Sequence, residues 1–109
     1  MTILKQTTLL DGANAAKDTG SFKNSHGYGA IIAVSGTFTG LKLAIEGKIG
    51  DEWYALAVTD VSTRVTADEI DDTGAFEVLT GGFSEVRAYV TAISSGSVTV
   101  DAVVYDIFA

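Results

Sequence analysis

Apolar and polar residues alternate over much of this chain. Leu41, Leu43 and Ile45 fall on one phase of a period of two, with Lys42, Ala44 and Glu46 on the other. Successive side chains of a strand point to opposite faces, so this is the pattern of an antiparallel strand with one face buried. Trp53, Ala55 and Ala57 alternate with Tyr54, Leu56 and Val58 directly afterwards. Between the two runs lies Gly47-Lys48-Ile49-Gly50-Asp51, read as a hairpin connection with its turn at the glycines. The Trp53 face of the second strand is expected in the core, because small Ala55 and Ala57 beside a large ring make a packing layer.

The alternation continues to the C-terminal end. Phe76 and Val78 mark a short strand before the turn Thr80-Gly81-Gly82. Val86, Ala88, Val90 and Ala92 alternate with Arg87, Tyr89, Thr91 and Ile93. Ser94-Ser95-Gly96 then turns the chain into a run through Val98, Val100, Ala102 and Val104 to Phe108. No stretch has a 3.6-residue period, although Asn14 to Lys17 has room for one helical turn. About seven or eight short strands, with turns every 8 to 12 residues or so, predict an all-β fold. The expected form is a single antiparallel β-sandwich of jelly-roll type over residues 1–109. Residues 11–27 are expected to be a long polar loop, and 101–109 a C-terminal strand.

Two segments break the alternation by being apolar on both faces: Tyr28 to Val34 and Ala102 to Ala109. A sandwich strand should have one wet face, so these either lie under a covering loop or meet another subunit. The subunit contact is favoured, with Ile31, Ala33, Val103, Tyr105 and Ile107 as the contact residues.

Composition narrows the partners. The chain has 109 residues, no cysteine and a formal net charge of −7. Without cysteine there are no disulfides and no thiolate metal sites. Seven scattered basic residues make no phosphate-tracking stripe, so nucleic acid is not an expected partner, nor is an anionic membrane surface. No run approaches the ~18 apolar residues of a membrane span. The polar break after Leu4 in MTILKQTTLLDG leaves no signal-peptide core.

The candidate chemistry is sparse. Ser25 and His26 are adjacent and so point apart in an extended chain; with a single histidine, a nucleophile–base pair would need another serine to converge on it. Glu46, Asp51 and Glu52 sit on a hairpin tip, whereas glycosidase carboxylates face each other across a cleft. Asp68, Asp71 and Asp72 form the densest acidic run and are weak Ca²⁺ candidates, in a spacing that is not that of an EF-hand. No phosphate-binding glycine motif is present. The expectation is a protein that is not an enzyme and uses no cofactor.

Several stretches carry a resemblance when taken in order: "VSGTFTG", "LAIEGKIGDEWYALAV", and "GAFEVLTGGFSEVRAYVTAISSGSVTV". From roughly Leu9 to Val100 the chain resembles a group of small structural proteins encoded by tailed bacteriophages and prophages. Those sequences read V-S-G-T-F-S-G, then E-G-S-x-D-G-x-x-W-x-x-L, then end in V-R-x-x-V-x-A-x-x-S-G-S-V-x-V. Here the hairpin reads E-G-K-I-G-D-E-W, with Gly and Asp exchanged and the loop shorter. The resemblance implies a β-sandwich virion component of the head or tail surface, such as a capsid decoration protein. The expected partners are the chain itself, as a homo-oligomer with a trimer as the first expectation, and phage capsid or tail proteins. The alternative is a glycan- or host-surface-binding module of a phage tail or secreted protein, using Phe22, His26, Tyr28 or Tyr54.

Overall fold

The computed structural model describes residues 2–106. They form ten strands and no helix: β1 (Thr2–Ala13), β2 (Thr19–Lys23), β3 (Gly29–Thr39), β4 (Lys42–Ile49), β5 (Glu52–Ala55), β6 (Val58–Asp60), β7 (Thr66–Ala67), β8 (Gly74–Leu79), β9 (Glu85–Ala92) and β10 (Ser95–Asp106). Six make one antiparallel sheet in the order β1-β10-β3-β8-β6-β7, and four make a second in the order β2-β9-β4-β5. The chain crosses between the sheets repeatedly, and the short β6 and β7 extend one edge of the larger sheet. The smallest extent, 22 Å, fits two sheets about 10 Å apart with side chains on their outer faces.

The alternation in the sequence is realised as two inner faces. Ala30, Ile32, Val34, Val98, Val100, Ala102 and Val104 line the inside of the six-stranded sheet. Leu43, Ile45, Val86, Ala88 and Val90 line the inside of the four-stranded one. Ile70 closes the gap between them. Its N–H and C=O both pair with Leu43, at 2.8 and 2.9 Å, and its side chain is 1% exposed. An isoleucine buried to that extent contributes about 1.5–3 kcal/mol, which ties the acidic run around it to the sandwich.

Three local expectations change. Residues 11–27 are not one long loop: β1 runs into the stretch and β2 lies inside it. At Gly20 of β2, an added Cβ would stand 1.6 Å from the Leu9 carbonyl oxygen, so the strands cross almost in backbone contact. Asn14 to Lys17 forms a turn, with Lys17 at φ 75° and the Asp18 carboxylate accepting from the Asn14 and Ala15 N–H groups.

The hairpin is also tighter than expected. Ile49 pairs with Glu52, which leaves Gly50-Asp51 as a two-residue turn. Gly50 has φ 60° and Asp51 is not in the positive-φ region, the II′ pattern that suits right-handed strand twist. Gly47 is therefore in the strand, where it leaves room for Phe83: an added Cβ would lie 2.5 Å from that ring.

A buried asparagine joins two loops at one end of the sandwich. Asn24 is 6% exposed, and its Nδ2 donates to the carbonyls of Thr80 (2.6 Å) and Phe83 (3.0 Å). Its own N–H donates to Ser84 C=O at 3.0 Å.

Candidate functional site

The outer face of the six-stranded sheet gathers four of the residues expected at a subunit contact. Register places Ile3, Tyr105, Gly29 and Leu79 in one row across β1, β10, β3 and β8. The next row is Gln6, Val103, Ile31 and Glu77, and the third is Thr8, Asp101, Ala33 and Ala75. Their sequence neighbours Ala30, Ile32, Ala102 and Val104 point into the core, so these rows point out. Ile31, Val103 and Tyr105 are half-buried among one another, and Ala33 is exposed. Ile3 and Leu79 are 48% and 63% exposed, so at these positions the face is open to solvent rather than beneath a loop. Ile107 lies outside the described residues.

The packing on this face is specific. Gly29 has no side chain, and the Tyr105 ring lies against it: an added Cβ would be 2.5 Å from the phenol oxygen. Burial, then the negative charge of Glu77, then Tyr28, hold the Tyr105 hydroxyl above its ordinary pKa, so it stays neutral. The two carboxylates in the three rows are occupied within the chain. Asp101 accepts from Thr8 Oγ1 at 2.6 Å, and Glu77 accepts from Arg64 Nη1 at 2.9 Å. Four strands about 4.8 Å apart and three rows about 7 Å apart cover roughly 400 Å². Gln6, Thr8, Asp101 and Glu77 take up part of that area, and the apolar side chains beside them form a patch of the kind that marks interaction sites.

The outer face of the four-stranded sheet is different, and one residue on it corrects an expectation. Trp53 is not in the core. It pairs with Lys48, and both lie half-buried on the outer face. The Arg87 guanidinium lies 4.2 Å from the Trp53 ring centre and 4.8 Å from that of Tyr89, while Nε and Nη2 both reach Glu46 Oε1 at 2.7 Å. Lys48 Nζ stands 5.6 Å from the same indole. The inward residues of this segment are Leu56 and Val58, which are buried. Beside Arg87, Glu85 accepts from Ser21 Oγ (2.7 Å) and Lys23 Nζ (3.1 Å), and these bonds hold its carboxyl below the usual range.

The remaining candidates do not converge. Phe22 is buried on β2 instead of being presented by a loop. His26 is exposed at φ 63°, and Tyr28 and Tyr54 are 41% and 50% exposed on separate segments. Asp68, Asp71 and Asp72 are exposed on the connection between β7 and β8, and Asp72 accepts the Thr73 N–H at 2.7 Å. Among the described residues, no group of three or more His, Asp or Glu side chains is placed to hold a metal ion.

The sequence matches no family model and no curated protein. Two solved structures share the fold. The SPBc2 prophage-derived protein YomS aligns over 93% of this chain and 92% of its own, with a TM-score of 0.80 and 17% identity. The PBSX exported protein XepA aligns over 92% of this chain with a TM-score of 0.84 and 16% identity; the match takes in 37% of XepA, so this fold corresponds to one part of it.

Proposed function

We propose that this chain is a non-enzymatic structural protein of a tailed-phage particle: a capsid decoration or stabilising protein, or another head–tail component. It associates with copies of itself through the outer face of the six-stranded sheet and docks on the virion. The observation that carries the reading is the convergence of Ile31, Ala33, Val103 and Tyr105, with Ile3 and Leu79, on one open apolar face. The likeness in fold to prophage-derived YomS supports the phage setting by analogy of fold. The sheet orders β1-β10-β3-β8 and β2-β9-β4-β5 support the reading of the sandwich as a jelly roll, a fold found among viral capsid domains. A closed homo-oligomer, with a trimer as the first expectation, would bury the face without leaving it free to build fibres.

A second reading is glycan or host-surface binding. The position of Trp53 on an outer face beside Arg87 and Tyr89 favours it over what composition alone suggests. The two separate in one experiment: fluorescently labelled protein is mixed with emptied capsids of the encoding phage and, separately, with host cells. Saturable labelling of capsids and none of cells is the expected outcome. Labelled cells with bare capsids would replace the first reading by the second.

A further inference from the structure

The six-stranded sheet has an incomplete edge. Strand β6 pairs with β8 through Thr59 opposite Glu77 and Asp60 opposite Phe76. Two residues before Thr59, Ala57 would fall opposite Leu79, but the chain has already left: Leu56 N–H donates to Ile45 C=O in the other sheet, at 2.8 Å. Two bonds fix the alternation of β8. Thr80 N–H donates to Tyr28 C=O (2.9 Å) on the β3 side, and Val61 N–H donates to Ala75 C=O (3.0 Å) on the β6 side. Ala75, Glu77 and Leu79 therefore aim their backbone groups toward β6. At Leu79 no strand is there to receive them.

Beside this bare edge is a notch of about 360 Å³, lined by Leu56, Ala57, Val78, Leu79 and Tyr105, with Thr59 adding a hydroxyl. Glu77 also borders it, with its carboxylate already engaged by Arg64 at 2.9 Å. An outward N–H and C=O on one residue, next to an apolar notch, ask for a donor and an acceptor at peptide spacing together with an aliphatic side chain.

We propose that this edge takes an extended segment of a partner polypeptide, added as a short strand alongside β8 with an aliphatic side chain in the notch. Main-chain bonds to Leu79 supply orientation and the notch supplies selectivity, as in other strand-addition sites. The inference goes beyond the self-association proposed above, but the notch shares Leu79 and Tyr105 with that face, so the Val103→Asp variant is the form in which peptide binding is read alone.

The probe is acetyl-Thr-Val-Thr-Val-Thr-amide, titrated into ¹⁵N-labelled protein, both wild type and Val103→Asp, so that peptide binding and self-association are read separately. In free protein the Leu79 amide is expected to exchange much faster than that of Val78, whose N–H faces β3. Bound peptide is expected to slow it about tenfold or more. N-methylating the peptide at alternate residues should abolish binding in one phase and spare it in the other. Leu79→Pro removes an N–H that the ladder to β3 does not use, and Ala57→Phe fills the notch; each is expected to weaken binding about tenfold, the scale of one or two hydrogen bonds or a lost side-chain pocket. A Leu79 amide unmoved by the peptide, equal binding by both N-methyl phases, or unchanged affinity in both variants would overturn the proposal.

Discussion

Gly20→Ala is expected to destabilise the protein by about 3 kcal/mol or more, or to prevent folding, although it adds a single methyl group. The added carbon would sit 1.6 Å from the Leu9 carbonyl oxygen and 2.5 Å from its carbonyl carbon. Both are backbone atoms, so no side-chain rotation relieves the clash. Strand β2 would have to lift from β1, and with it Phe22, which packs in the same cluster as Leu9 and Leu10. Gly81→Ala is the control: its nearest neighbour would be 3.7 Å away, an ordinary contact, and a change within about 0.5 kcal/mol is expected. Urea unfolding of both variants measures the difference. Equal midpoints would show that the crossing is not tight.

Asn24→Asp is expected to cost about 3–5 kcal/mol at neutral pH. The amide now donates to the buried Thr80 carbonyl oxygen at 2.6 Å and to the part-buried Phe83 one at 3.0 Å. A carboxylate of the same shape has no donor and would face both oxygens with a negative charge. Its pKa in the folded protein must rise above the unfolded value of about 3.9. The folded state of the variant then binds protons more tightly than the unfolded state, so its stability is greatest at low pH and is lost as pH rises through the raised pKa. The gap to wild type should narrow on acidification, as read from thermal melts at pH 7 and near pH 4. A constant gap would mean that the site is hydrated rather than buried.

The strands were legible because alternation of side chains is a property of the strand itself. Runs such as Leu41 to Glu46 and Val86 to Ile93 announce their inner faces without knowledge of their partners. What depended on pairing was harder to read. Strand β2 carries only Phe22 inward among Thr19, Gly20, Ser21 and Lys23, so nothing in its composition separates it from a loop. It is a strand because β9 pairs with it from Tyr89 to Glu85. The brief β6 and β7 likewise exist through their neighbours in the sheet.

Trp53 shows a signal that was present and outweighed. Leu56 and Val58 share one phase and are the larger aliphatics, which places Trp53, Ala55 and Ala57 on the other, outer phase. Counting from Ile45 through the two-residue turn gives the same answer. Ring size argued for the core, but Arg87 covers the indole instead, by a contact from β9 that sequence spacing does not reveal.

The apolar face was half legible. Ile31, Ala33, Val103 and Tyr105 stood out because their segments are apolar in both phases, which a lone sandwich does not need. Ile3 and Leu79 joined them only through the register of β1 and β8 against their neighbours. Two strands that form no hairpin with each other leave no trace of their mutual register in local sequence.

The most direct test of the central claim is the mass in solution by light scattering of the wild-type chain and of Val103→Asp, which places a charge in the middle of the apolar face. The wild type should scatter as a small closed oligomer of the 11.3 kDa chain, a trimer first of all, and the variant as a folded monomer. A wild-type chain that stays monomeric at high micromolar concentration, or a variant that keeps the wild-type mass, would contradict self-association through this face.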